Sequence, residues 1–332
     1  MPLANTLTFP WDIAILIMLS GSFGIMLAAR HSLKRWRSQI LWMRIVVMLI
    51  GAVSTLFFML ITYGSFIEPQ LITVTNISLP FPLHESVKIA VISDLHVGPY
   101  KGAGFVKRIV ARINRERPDV VLIAGDLVLS DEVTPEAIVA LTPLKDLRPA
   151  LGTYVVMGNH DHSIYRLFSP EQRRPPDRSD LITEALKGLG LIVLKNTQSE
   201  LRIGDELLRI AGIEEALSGQ ADIVKTLQNA GTGSPVILMS HNPDIILDPM
   251  SRLATLIIAG HTHGGQIRLP WYGPVSALPT RIGRKFDQGI FRLDGGATLA
   301  ITRGVGESGP RARLFAPPEI MIIQTIPLNS SI

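Results

Sequence analysis

The chain has 332 residues, with 47% hydrophobic and 18% charged side chains, a net charge of +4 and no cysteine. A mean hydropathy of +0.30 is high for a purely soluble protein and points to a membrane part. The mild positive balance, without interleaved basic and aromatic residues, argues against nucleic acid as a partner, and the lack of cysteine excludes disulfides and thiolate metal sites.

Two apolar runs open the chain. Residues 13–29 and 45–67 contain no charged side chain, and each is long enough, at ~1.5 Å per helical residue, for a hydrocarbon core of ~30 Å. Transmembrane helices are therefore expected at about 12–29 and 45–67, making residues 1–67 an anchor and the lipid bilayer a partner. A cleaved signal peptide fits poorly, because no Lys or Arg precedes Trp11 and Asp12 stands where a positive charge belongs. Arg30, Lys34, Arg35, Arg37 and Arg44 cluster between or just inside the two runs, whereas residues 1–11 and 68–87 hold no Lys or Arg. The positive-inside rule then puts the connection in the cytoplasm and the rest of the chain outside a bacterial inner membrane. Trp11, Trp36, Trp42 and Tyr63 fall at the expected boundaries. Residues 68–87, with several prolines and a loose alternation, read as a linker that becomes an edge strand.

Beyond residue 88 one local pattern recurs five times: a short apolar, β-branched run, a small residue, then a potential metal ligand. The runs 89–93, 120–125, 154–158, 236–240 and 255–260 lead into Asp94, Asp126, Asn159, His241 and His261. Runs apolar at both parities predict strands buried on two faces, and ligands at strand ends are where open α/β sheets place their sites. Gly125, Gly158 and Gly260 fit sharp turns there. Between the first two strands, Phe105, Val106, Ile109, Val110 and Ile113 share one helical face, opposite Lys107, Arg108, Arg112 and Arg115, and Pro118 ends the helix. A further helix is expected over 181–189, with Ser179 or Asp180 as N-cap, after a polar loop at 173–178.

These residues compose the motifs D-x-H (Asp94, His96), G-D (Asp126), G-N-H-D (Asn159, His160, Asp161), a lone His241 and G-H-T-H (His261, His263). In this order they closely resemble the calcineurin-like metallophosphoesterase superfamily. The later segments G-H-T-H-G-G-Q-I, 301–310 and 316–320 resemble a bacterial membrane-associated branch that includes exported cell-envelope phosphodiesterases and the chlamydial type of UDP-2,3-diacylglucosamine pyrophosphatase. The resemblance implies an α/β fold, a β-sandwich of two mixed sheets flanked by helices, over residues 88–328. It implies two divalent metal ions, Mn, Fe or Zn, one on Asp94, His96, Asp126 and His263, the other on Asp126, Asn159, His241 and His261. His160 would be the general acid, oriented by Asp161. Arg303 is a candidate phosphate clamp, with pairing to a carboxylate as the alternative. Tyr100, Lys101 and the 264–266 run could line the entrance, and His162 reads as an ordinary loop histidine. One departure stands out: where the second motif often has a further Asp, this chain has Leu129.

The implied function is hydrolysis of a phosphodiester or pyrophosphate bond in a phosphorylated lipid or nucleotide-diphosphate-lipid, UDP-2,3-diacylglucosamine being the specific candidate. That substrate is made in the cytoplasm, opposite to the face the charge bias selects. The alternatives are an extracytoplasmic phosphodiesterase acting on envelope polymers or lipid headgroups, and a membrane-tethered scaffold without activity, against which stands a full set of ligand positions.

Overall fold

The computed structural model describes residues 9–35, 40–129, 134–164, 177–228, 230 and 233–328. Trp36, Arg37 and residues 173–176 of the polar loop lie outside them. The apolar runs form α1 (Phe9–Arg35) and α2 (Leu41–Thr62), the latter continued by a π turn (Tyr63–Ile67) and a short 3-10 turn (Glu68–Gln70). Both are long and apolar enough to cross a membrane. They pack closely, since a Cβ on Gly51 would come within 3.2 Å of the Ala29 Cβ. The Ser54 hydroxyl donates to the Ser22 carbonyl across the seam at 2.9 Å. Their outer faces carry exposed Leu16, Ile17, Val53 and Leu56, consistent with membrane association.

The strands follow as β1 (Thr73–Phe81), β2 (Lys88–Ile92), β3 (Val120–Ala124), β4 (Thr153–Val156) and β5 (Ile192–Val193). Next come β6 (Thr197–Ile203), β7 (Glu206–Gly212), β8 (Val236–Met239) and β9 (Leu256–Ala259). The last are β10 (Arg268–Leu269), β11 (Gly273–Pro274), β12 (Gly289–Arg292), β13 (Thr298–Ile301) and β14 (Glu319–Pro327). Two six-stranded sheets result, ordered β1-β14-β2-β3-β4-β5 and β12-β13-β9-β8-β7-β6. Both are mixed: β2, β3 and β4 run parallel beside antiparallel β14, and β7, β8, β9 and β13 run parallel between antiparallel β6 and β12.

Every residue of β3, β4, β8 and β9 is buried, as their two-sided apolar pattern requires. Side chains alternate between faces with a period of two. Ile89, Val91, Leu122, Ile237, Met239 and Ile258 thus meet between the sheets, each worth about 1.5–3 kcal/mol when fully buried. The opposite parity of the first sheet, Ala90, Ile92, Val121 and Ile123, packs against the apolar face of α3 (Ala103–Glu116). That face is Phe105, Val106, Ile109, Val110 and Ile113, and Arg117, in the left-handed region ahead of Pro118, closes the helix. The helix expected over 181–189 spans Ser179–Gly188; its N-cap position is Arg178, rather than Ser179 or Asp180, and Asp177 just before it accepts from the Ser179 N–H at 2.9 Å.

Candidate metal centre

The parallel strands β2, β3 and β4 of one sheet and β8 and β9 of the other end at the same edge of the sandwich, and their loops are zipped together. Asp94 N–H donates to the Gly125 carbonyl at 2.9 Å, His96 N–H to that of Asp126 at 3.1 Å, and Gly260 N–H to that of His241 at 3.0 Å. Asp94, His96, Asp126, His261 and His263 all have positive φ, between 46° and 68°. For a residue with a Cβ this left-handed conformation costs about 1–2 kcal/mol. Strain repeated at five side chains in one small volume marks a site that the surrounding fold holds in place. Gly304, at φ 68°, is needed here because a Cβ would sit 2.6 Å from the Asp94 Cβ.

Two groups of three donors could each hold a divalent cation: Asp94, His96 and His263, and Asp126, His241 and His261. A third group, His96, Asp126 and His160, lies between them. The donors are nearly in contact. His96 Nε2 is 3.1 Å from His263 Nε2, His241 Nε2 is 3.1 Å from Asp126 Oδ2 and from His261 Nδ1, and His96 Nε2 is 3.6 Å from Asp126 Oδ2. Each pair of facing imidazole nitrogens presents lone pairs to one another unless a proton or a metal lies between them.

Neighbouring carbonyls set the tautomers. A carbonyl can only accept, so His241 Nδ1–H donates to Ala124 at 2.7 Å and His261 Nε2–H donates to Pro279 at 3.1 Å. The other nitrogen of each ring, Nε2 of His241 and Nδ1 of His261, is thereby the one turned toward the centre, the usual way a protein orients metal-binding imidazoles. Asn159 behaves likewise: its amide nitrogen donates to the Ile164 carbonyl at 2.6 Å, while the buried Oδ1 takes no hydrogen bond among the described residues. An orphaned buried amide oxygen is costly unless something positive meets it. The nitrogen and oxygen donor set therefore fits a pair of divalent cations.

The electrostatics agree. Burial pulls His96, His160, His261 and His263 below the usual imidazole range, His261 to about 3, so those rings stand neutral. Burial raises Asp94 to about 6. Burial opposes the ionised form of Asp126 too, but the imidazoles of His241, His160 and His96 together outweigh it and hold that carboxyl well below its usual range. His241 is in turn held well above the usual imidazole value, against its burial, by Asp126. That proton is one a cation displaces on binding.

The remaining expected residues fall as follows. His160 N–H donates to Asp126 Oδ1 at 2.9 Å, and its Nε2 lies 3.4 Å from the Ser308 hydroxyl at the cavity wall. The sequence reading gives Asp161 the task of orienting His160. In the structure its carboxylate accepts the N–H groups of Leu127 at 2.9 Å, Val128 at 3.1 Å and Gly158 at 2.9 Å, tying one ligand loop to the next. Those donors favour the anion, while burial and the nearby Asp126 push the group up to about 7. Arg303 has the carboxylate partner that the alternative reading expects: its guanidinium pairs with Glu319 at 3.0 Å and donates to the Pro317 carbonyl and the Thr73 hydroxyl, each at 3.2 Å. A guanidinium beside a buried carboxylate takes that partner first. Lys101 likewise pairs with Glu307 at 3.1 Å, and Tyr100 donates to Asp12. Gly265 and Gln266 do line the cavity. Leu129 keeps its loop in place through its backbone, donating to the Val97 carbonyl at 3.0 Å.

His162 is no idle loop residue. It is buried between Asp177 and Glu214, each 2.8 Å from one ring nitrogen, and although burial disfavours its charge these partners hold it protonated, up to about 9. Glu214 and the buried Glu215 follow β7, whose run ends in Gly212 much as the ligand strands do. That signal was present in the sequence, although the residues are acidic rather than a recognised motif.

A family model for calcineurin-like phosphoesterases matches residues 87–265. The chain belongs to that family. Among relatives, this calcineurin-like phosphoesterase is 27% identical to the metallophosphoesterase YkuE of Bacillus subtilis, over 78% of its own length and 87% of that protein. It is 26% identical to the UDP-2,3-diacylglucosamine pyrophosphatase LpxG of Chlamydia trachomatis, over 80% and 92%. A Helicobacter pylori metallophosphoesterase is 28% identical over 75% of this chain, which spans 62% of that protein's length. Family and donor set together make the protein a metal-dependent hydrolase.

Proposed function

We propose that the protein hydrolyses a phosphodiester or pyrophosphate bond in a lipid-bearing substrate presented by the membrane. The observation that carries this reading is the cavity over the metal centre. It holds about 430 Å³, its floor is Asp126, Asn159, His160, His261 and His263, and its wall is mainly apolar, with Ile164, Leu217, Ile267, Val275 and Leu278. Trp11 of α1 completes that wall, so the reacting groups and the first membrane helix share one space. In this reading residues 1–67 anchor a phosphoesterase domain of residues 88–328 through the segment 68–87, raising the effective concentration of bilayer substrates.

Asp94, His96, Asp126 and His263 would hold one cation and Asp126, Asn159, His241 and His261 the other, with Asp126 shared. Bound there, the cations supply charge stabilisation at the phosphoryl group and a nucleophile available at neutral pH. His160 holds the proton for the leaving oxygen at Nε2. Burial depresses its basicity, and the phosphate anion of an incoming substrate favours the protonated ring. The strained ligand loops keep these groups fixed, so little reorganisation accompanies the reaction.

UDP-2,3-diacylglucosamine is the specific candidate, supported by the likeness to the chlamydial enzyme. A second reading, an extracytoplasmic phosphodiesterase acting on lipid headgroups or envelope polymers, is favoured by charge. Arg30, Lys34 and Arg44 gather at the end of the helical pair remote from the catalytic domain, which the positive-inside rule assigns to the cytoplasm. The test is turnover by the full chain in nanodiscs with Mn, using UDP-2,3-diacylglucosamine beside a soluble aryl phosphodiester, with His160→Ala as control. Cleavage of the lipid nucleotide, reduced roughly 10²–10⁴-fold in the variant, supports the first reading and a cytoplasmic domain. Cleavage of the aryl ester alone moves the substrate to the envelope. No turnover of either by metal-loaded protein overturns both.

A further inference from the structure

The rim of the molecule nearest the membrane helices carries an apolar feature that the metal centre does not use. Trp271, at the tip of the β10–β11 hairpin, is 104% exposed, beside exposed Leu269 and Tyr272. Its backbone is held at φ 63°, so the indole is presented on a strained turn. The tip is braced from beneath. Val275 N–H donates to the Ile267 carbonyl at 2.9 Å, Arg268 pairs with Asp287 at 2.6 Å, and Arg284 stacks 4.6 Å from the Tyr272 ring centroid. A rigid turn that holds a Trp fully and a Leu half in water forgoes much of their transfer free energy, unless another phase covers them.

The stem of the hairpin identifies that phase. Ile267 bridges Leu314, and Arg268 N–H donates to the Leu314 carbonyl at 2.9 Å. The neighbouring Arg313 N–H donates to the Gly64 carbonyl at 2.8 Å, and Phe315 N–H to the Glu68 carboxylate at 3.0 Å, so this segment is fastened to the turns that continue α2. Phe315 is exposed and shares a surface hollow with Trp271 and Tyr272. At the same end, Arg311 stacks on Phe66 at 5.2 Å and pairs with Asp12 of the first turn of α1 at 3.7 Å. The hairpin is thus one bridge away from the place where both membrane helices leave the hydrocarbon. Trp and Tyr with a neighbouring arginine are the side chains that partition into the headgroup layer. The segment that leads out of the hairpin, Val275 to Pro279, also lines the catalytic cavity.

We propose that the β10–β11 tip, through Leu269, Trp271, Tyr272 and Phe315, inserts into the interfacial layer of the bilayer that α1 and α2 occupy and turns the mouth of the metal-centre cavity onto the lipid headgroups. This rests on the reading of α1 and α2 as bilayer helices and deepens the proposed function by fixing how a lipid substrate reaches the centre.

The chain has no native cysteine, so single-cysteine variants of the full-length protein in nanodiscs can each carry one environment-sensitive nitrobenzoxadiazole probe. Trp271→Cys is the test position, Leu56→Cys on the exposed face of α2 the bilayer control, and Glu184→Cys the solvent control. The expected result is a blue-shifted probe at 271, quenched by lipids with a label near the headgroup and less by labels deep in the chains. The probe at 56 should be quenched by the deep labels, and that at 184 by neither. A probe at 271 that behaves like the one at 184 overturns the proposal. So does one that is blue-shifted but unquenched, which would mean that a second copy of the chain covers the tip. If the probe at 56 is also unquenched, the bilayer reading of the helices falls, and the insertion falls with it. In turnover, Leu269→Ser combined with Trp271→Ser should raise KM for a bilayer-embedded substrate several-fold and leave hydrolysis of a soluble aryl phosphodiester unchanged. Equal loss on both substrates would show a structural defect and overturn the role in substrate access.

Discussion

The metal centre and the seam where the helical pair docks onto the catalytic domain are both buried and both polar, yet they are built on opposite principles. At the seam polar groups are saturated. Glu68 accepts from Phe315 N–H at 3.0 Å and Ala316 N–H at 2.6 Å. Arg313, wholly buried, donates to the carbonyls of Arg303, Gly304, Gly306 and Ala316. At the centre, Asn159 Oδ1, His96 Nδ1 and His263 Nδ1 are buried without hydrogen bonds among the described residues, five donor-bearing residues are in the left-handed region, and two carboxylates lie close together. Saturation makes the seam a source of stability. The unmet Asn159 oxygen, the facing Nε2 atoms of His96 and His263 and the stored strain of the centre are a standing demand for cations.

The widest separation between the two regions should come from Asp126→Asn. It removes the charge of the carboxylate proposed to be shared by both cations and keeps the shape, so metal content measured by elemental analysis should collapse and turnover fall to background. The melting temperature of the metal-free protein should fall only modestly, because the loss of the Asp126–His241 pair is partly offset by relief of the repulsion between Asp126 and Asp94. A large loss of metal-free stability would break the comparison. Arg313→Met tests the other side. It strands four buried carbonyls and should cost about 3–5 kcal/mol, read by thermal or denaturant unfolding in detergent, and a cost too small to measure would show that the seam is not saturated by this residue.

The His162 cluster should show itself in pH dependence. Its folded-state value, about 9, stands above the usual 6.5 because Glu214 and Asp177 overcome its burial. The stability it contributes is therefore fully present below pH about 6.5 and lost as pH rises through about 9. The wild-type melting temperature should decline across that window, and the decline should flatten in His162→Asn; equal slopes would remove the cluster from the seam's side of the comparison. Arg303→Met should have the smallest effect, a loss of about 1–2 kcal/mol from breaking the pair with Glu319, with kcat/KM on a soluble ester unchanged. A drop in kcat/KM beyond the stability change would restore its role as a phosphate clamp.

Much of the centre was legible in the chain because each donor is coupled to a local device that sequence records: a two-sided apolar strand, a small residue for the turn, then the side chain. Asp94, Asp126, Asn159, His241 and His261 all announce themselves in this way. The roles of Asp161 and Arg303 were not legible in the same manner. A carboxylate or guanidinium in a Gly-rich loop has several possible partners, and only the neighbours brought in by folding select among Leu127, Val128 and Gly158 for the one and Glu319 for the other. The role of His162 is hidden for the same reason, since Asp177 and Glu214 are distant in the chain and become its partners only when β7 and the 177–179 turn converge.

What the sequence determined by itself is the periodicity and the punctuation. Apolar runs of membrane length, strands buried on both faces, the amphipathic face of α3 and the donor at each strand end all follow from side-chain order and steric rules that act over a few residues. What only the tertiary structure decided is which of these pieces meet. The pairing of β1 with β14, the fastening of Arg313 to Gly64 and of Phe315 to Glu68, the shared wall of Trp11 and the metal cavity, and the placing of Trp271 beside Phe315 depend on contacts between residues far apart in the chain. No local preference encodes such contacts. They are chosen by burial of the whole apolar surface and by the requirement that each buried polar group find a partner.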